Sequence, residues 1–209
     1  MEIVAATEGH ALAQIDQIPE LVYSTGPASY SYQFGSRGVL DPLIRASWML
    51  PETLFSYDAT TLALEGDELL GLEIGFTNPG FHERSQALAP IWPALDEFTE
   101  ANKEHLAGLG RRIFECSWLN PVIPEDVYYV HALAVTEGHR GEGIGAALLR
   151  NAIDHAQEIE LKGLQLDVLS GNPAVDFYRS FGLEVLVEST VPSAFAKGVP
   201  TELRMGMRF

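Results

Sequence analysis

Apolar positions in the second half of the chain fall into regular patterns. Residues 127–135 (Val-Tyr-Tyr-Val-His-Ala-Leu-Ala-Val) are almost continuously apolar, which predicts a strand covered on both faces. After Gly143, the residues Ile144, Leu148, Ala152, Ala156 and Ile159 recur on one stripe, the pattern of an amphipathic helix. A strand is expected over 164–169 and a short helix over 173–181, closed by Gly182 at a C′-like position. Strands over 183–188 and 203–209 complete a β-α-β-α-β-β order.

The first half is less regular. Residues 1–6 read as a strand. Leu12, Ile15, Ile18 and Leu21 give residues 8–23 a helical spacing, with Pro19 expected to end or bend the helix. Residues 24–38, rich in Gly, Ser and Tyr, read as loop, and a second helix is expected over 40–50, closed by Pro51. Two apolar runs around Glu65-Gly66-Asp67-Glu68 predict a β-hairpin over 59–77. Residues 79–124, with five prolines, read as an insertion between the third and fourth strands, carrying one or two helices within 91–109. The expected organisation is one domain over 1–209.

Composition narrows the function. The net charge of −16 opposes binding to nucleic-acid phosphates, so no nucleic-acid partner is expected. No run of 18 apolar residues is present, and the N-terminus does not read as a secretory signal. Cys116 is the one cysteine, so no internal disulfide forms, and a reducing, cytoplasmic location is the expectation. His10, His82, His105, His139 and His155 lack metal-ligand spacing, so no metal is expected.

The chemistry concentrates in Arg140-Gly141-Glu142-Gly143-Ile144-Gly145-Ala146, between a strand and a helix. Glycines let the backbone approach a ligand, the free N–H groups of a helix start favour an anion, and Arg140 adds a cation. A P-loop is excluded because Gly145 is followed by Ala146-Ala147 rather than Lys-Ser/Thr. A dinucleotide-binding turn fits the glycine spacing loosely but lies late in the chain. A turn without a ligand is a third reading.

Residues 127–181 resemble the GNAT superfamily of N-acetyltransferases. Arg140, Gly143 and Gly145 match its Gln/Arg-x-x-Gly-x-Gly/Ala signature. Leu133-Ala134-Val135 match the end of its fourth strand, and 174–182 match its Ala-x-x-x-Tyr-x-x-x-Gly signature. The resemblance implies an α+β fold with a mixed, mostly antiparallel sheet, splayed between strands 4 and 5 and flanked by helices on both faces. It implies acetyl-CoA as co-substrate. Leu133, Ala134 and Val135 would pair with the pantetheine arm, amides of Arg140, Gly141, Glu142, Gly143, Ile144, Gly145 and Ala146 would hold the pyrophosphate, and Asn172 would reach the CoA arm or cap the short helix. Asn172 lies six residues before Tyr178, where the family often has seven.

Tyr178 matches the family tyrosine beside the CoA sulfur and is the candidate acid. His131 is the candidate base, on a strand resembling that of arylalkylamine N-acetyltransferases, with Tyr129 in place of the first histidine of their His-x-His pair. Strand alternation puts His131 on the side of Leu133 and Val135. Tyr30, Tyr32, Phe34 and Trp92 are either an aromatic acceptor pocket or core packing. The implied activity is acetyl transfer to a primary amine, a small molecule, by direct attack in a ternary complex. Transfer to a protein N-terminus or lysine, and a non-catalytic acyl-CoA-sensing module, stay open. A homodimer is the default assembly to expect.

Overall fold

Seven strands among the described residues form one sheet in the order β1-β2-β3-β4-β5-β7-β6. The computed structural model describes residues 1–91, 107–116 and 122–209. The strands are β1 (Glu2–Ala5), β2 (Thr60–Glu65), β3 (Glu68–Thr77), β4 (Val127–Val135), β5 (Gly163–Leu169), β6 (Glu184–Ser189) and β7 (Glu202–Arg208). All neighbours run antiparallel except β4 and β5. That pair is joined through the long helix, as a parallel connection requires.

The helices are α1 (Glu8–Gln14), α2 (Ile18–Thr25), α3 (Pro27–Phe34), α4 (Arg37–Met49), α5 (Gly80–Gln86), α6 (Leu109–Cys116), α7 (Ile144–Glu158), α8 (Ala174–Ser180) and α9 (Pro192–Phe195). One face of the sheet packs Leu62, Leu72, Ile74 and Ala132 against α2 and α4 through Leu21, Val22, Leu43 and Ile44. The other packs Val130, Leu164, Leu166 and Met205 against α7 and α8 through Leu149, Ala152, Val175 and Tyr178.

Three sequence expectations change. Residues 8–23 form two helices, because Pro19 lies in the first turn of α2 rather than ending α1; a missing N–H costs nothing there. Residues 24–38 are not loop. Pro27 starts α3, and Gly35, at φ 76°, ends it with its N–H on the Ser31 carbonyl. The second helix begins at Arg37, not 40, and is held to α1 by the buried Trp48, whose Nε1 donates to the Ala11 carbonyl at 2.9 Å. The expected helices within 91–109 lie largely outside the described residues.

The fourth change is in β4. Ala132 pairs with Ile74 but Val130 with Gly75, leaving His131 as an extra residue, a β-bulge. Before it, Tyr128 and Val130 face α7; after it, Leu133 and Val135 do. The His131 ring turns the other way, against Phe55, Phe76, Phe81 and Tyr129, with ring centroids 5.6 to 6.3 Å away. His131 therefore does not share the face of Leu133 and Val135.

Candidate active site

The bulge marks the place where the sheet opens. β4 pairs with β5 only from Val127↔Gly163 to Val130↔Leu166; beyond it the two strands diverge. A cavity of about 1040 Å³ fills the opening, lined by β4 from Tyr129 to Val135, the start of α7, α8 and the described parts of the 79–124 segment.

One wall is backbone. Gly141 and Gly143 adopt φ 88° and 86°, a left-handed conformation that side chains resist. An added Cβ at either would meet nothing within 4 Å, so conformation, not crowding, is what calls for glycine there. Gly143 caps α7 without a side-chain hydrogen bond, and Ala147 is the first residue whose N–H reaches back, to the Gly143 carbonyl at 3.0 Å. The earlier amides at this helix end have no partner within the helix. Arg140, Gly141, Gly143, Ile144, Gly145 and Ala146 all line the cavity. Glu142 does not: His139 binds its carboxylate at 3.1 Å and bridges to Glu68 at 3.2 Å. Arg140 Nε donates to the Val135 carbonyl at 3.3 Å, tying the turn to the end of β4.

The two candidate catalytic side chains and Asn172 also reach this cavity. The Tyr178 hydroxyl, on α8, makes no hydrogen bond with a described residue, and burial pushes it up to about 12, so it holds its proton at neutral pH. His131 Nε2 is sealed from solvent without a hydrogen-bond partner among the described residues, and burial lowers the imidazole to about 4. Asn172 Oδ1 accepts from the Ala174 N–H at 2.9 Å, the helix-capping role, while the residue still borders the cavity.

The opposite wall is made of side chains that sequence reading singled out only in part. Tyr30 and Phe34 line the cavity; Tyr32 does not, its hydroxyl donating instead to Glu115 at 2.8 Å, and Trp92 lies outside the described residues. Phe55, Phe81, Ile113 and Cys116 complete an apolar surface. Burial pushes the Cys116 thiol up to about 12, so it is no thiolate. Beneath lies an ion pair: Arg204 grips Asp167 with Nε at 2.6 Å and Nη2 at 2.7 Å, and the Tyr129 hydroxyl donates to the same carboxylate at 2.8 Å. Glu202, at the start of β7, lines the cavity beside them. The available signal was the alternation Gln165, Asp167 against Arg204, Glu202, a polar stripe on two strands otherwise reading as interior.

Among the described residues no group of three His, Cys, Asp or Glu side chains is arranged to hold a metal, and no helix is long and apolar enough to cross a membrane.

Known proteins agree with this geometry. The family model described as "Acetyltransferase (GNAT) family" matches residues 75–183, more than half of the 209. An uncharacterized N-acetyltransferase of Methanocaldococcus jannaschii is 31% identical over 71 residues, 34% of this chain and 31% of that protein. Streptothricin acetyltransferase of Streptomyces lavendulae is 43% identical over 54 residues, 25% of this chain and 29% of that protein. The chain thus spans about a third of the length of these curated relatives. An N-acetyltransferase structure from Staphylococcus aureus Mu50 superposes with a TM-score of 0.71 at 15% identity, covering 99% of this chain and 100% of that one. A second acetyltransferase structure superposes at 0.69 with 18% identity, covering 100% and 99%. The splayed sheet, the glycine turn at the head of α7 and the match over 75–183 place this chain in the acetyltransferase (GNAT) family, a family of acyl-transferring enzymes.

Proposed function

We propose that the protein transfers an acetyl group from acetyl-CoA to a primary amine by direct attack within a ternary complex. The observation that carries this reading is the continuity of one cavity from the free amides at the start of α7 to Tyr178, His131 and the apolar wall beyond. In this reading the amides of 144–146 hold the pyrophosphate, with Arg140 beside them. The β4 edge at Leu133, Ala134 and Val135, left without a strand partner on the β5 side, receives the pantetheine arm. Both substrates then share one space, and no acyl-enzyme is required.

The amine nitrogen bonds to the thioester carbonyl carbon, the carbon–sulfur bond breaks, and the nitrogen gives up a proton. Tyr178 donates a hydrogen bond to the departing sulfur; a hydroxyl titrating near 12 lends its proton in the transition state rather than releasing it beforehand. His131, neutral above pH 4, is free to accept the amine proton on Nε2. If it is the base, the acidic limb of the kcat profile falls near pH 4, not near the ordinary histidine value.

Calorimetry with acetyl-CoA tests the first step, and thiol release over a panel of amines tests the second. The expected result is CoA binding and thiol release that requires an amine. Absence of CoA binding, or CoA binding without amine-dependent thiol release, overturns the reading.

A further inference from the structure

One carboxylate in the cavity has no part in the scheme above. Glu202 opens β7, opposite Leu169 of β5, and is partly buried. The nearby cation is already committed: Arg204 spends Nε and Nη2 on Asp167 and turns Nη1 toward Gln165 Oε1 at 3.3 Å. Glu202 itself accepts no hydrogen bond and makes no ion pair with a described residue. Its charge is felt instead by the Tyr30 hydroxyl on α3 and the Cys116 thiol on α6, both lining the same cavity. The rings of Tyr30, Phe34, Phe55 and Phe81 line the same cavity.

A carboxylate in an apolar enclosure is costly unless a cation joins it. Arg204 is paired with Asp167, so the group of Asp167, Arg204 and Glu202 taken by itself carries one surplus negative charge when Glu202 is ionised. The aromatic walls offer a surface that is apolar and favourable to a cation over its ring faces. A substrate carboxylate would meet Glu202 and Asp167 there, with Arg204 already taken.

We propose that Glu202 binds the ammonium group of the acceptor, and that the acceptor is a monoamine on an apolar, ring-sized body rather than an amino acid. This rests on the acyl-transfer reading and adds the class of acceptor to it. Docking on Glu202 precedes the chemistry, so it is a specificity-determining residue. The loss should fall on acceptor KM more than on kcat.

The groups facing Glu202 set its pH behaviour. These are Asp167 on β5, Arg204 on β7, Tyr129 on β4, Tyr30 on α3 and Cys116 on α6. Burial first, then Asp167, push Glu202 up to about 8, while Arg204 pulls the other way. Tyr30 and Cys116 hold their protons up to about 12. A cation of fixed charge should therefore bind more tightly as pH rises through about 8.

Calorimetry on the full chain, with CoA present, uses four probes: 2-phenylethylamine, its trimethylammonium analogue, 2-phenylethanol and phenylalanine. Hexylamine and benzylamine serve as further amines. Glu202→Gln is expected to weaken both cations about 10–100-fold, as loss of a charge-assisted contact does. The alcohol and CoA should bind as before, and phenylalanine should bind worse than phenylethylamine in the wild type. Glu202→Asp should restore part of the cation affinity, and the pH dependence of trimethylammonium binding should vanish in Glu202→Gln. Unchanged cation affinity in Glu202→Gln with CoA still bound overturns this inference alone. So does a wild type that binds CoA but none of the amines. Failure of the wild type to bind CoA overturns the acyl-transfer reading and this inference with it.

Discussion

The two walls of the cavity are built from different materials. The wall at the start of α7 is main chain: two left-handed glycines, the unpartnered amides of a helix end and the unpaired edge of β4. The facing wall is side chains drawn from five separate elements, α3, α5, α6, β5 and β7. In the proposed scheme main chain recognises what every CoA carries, and it tolerates sequence change everywhere except where φ is positive. Side chains recognise one partner and change with it. The difference teaches where a substitution should alter the cofactor-like half of the reaction and where it should alter the acceptor half.

The largest expected effect joins the halves. Tyr178→Phe should lower kcat by about 10²–10⁴-fold with CoA affinity unchanged, measured by steady-state kinetics beside calorimetry. An unchanged kcat removes Tyr178 as the acid. Next comes a control behind the sheet. Glu73 is 1% exposed, opposite Leu133, and its Oε1 has no hydrogen-bond partner among the described residues. Burial pushes it from 4.5 up to about 8. The folded state then binds more protons than the unfolded chain between those values. Its contribution is complete below about 4.5 and is lost as pH rises through 8. Glu73→Gln should be more stable than wild type at pH 9, on the order of a few kcal/mol, and near wild type at pH 4. Thermal melts at the two pH values test this, and acceptor affinity should not move, which separates a sealed carboxyl from Glu202.

Gly143→Val comes third. A β-branched residue at φ 86° is strained, so CoA affinity should fall at least about tenfold while amine binding is spared. The smallest effect belongs to Gly145→Ala. It lies within α7, and its Cβ would stand 3.5 Å from Val135 Cγ2, an ordinary contact. Stability should change by less than about 1 kcal/mol, so a several-fold loss of CoA affinity would report how closely the ligand approaches. Loss of stability instead would break the assignment of this wall to ligand binding.

The same difference explains what was legible in the sequence. The turn at 140–146, the stripe of α7 and the helix of Tyr178 are local features, each determined by neighbours within a few residues. For Glu202 the local signal is only its alternation with Arg204 at the start of the last strand. The residue lies one position before the apolar run expected for the last strand, and its surroundings come from segments distant in the chain. The first helices were misread for a similar reason: Pro19 and Pro27 begin helices, and only the packing of α2 and α4 on the sheet decides which side of each proline the helix takes.

His131 shows the limit of counting along a strand. Alternation assigns faces by odd and even numbers, and the extra residue in β4 exchanges the two. Tyr128 and Val130 are even and Leu133 and Val135 odd, yet all four face α7. One peptide unit thus keeps two incompatible frames in a single strand, the first matched to β5 and the second to the open cleft. Deleting a residue between 130 and 133 would restore strict parity. Leu133 and Val135 would keep the α7 face, in step with Tyr128 and Val130, and the cleft would lose the extra position that sets both the His131 ring and Ala132 on the acceptor side.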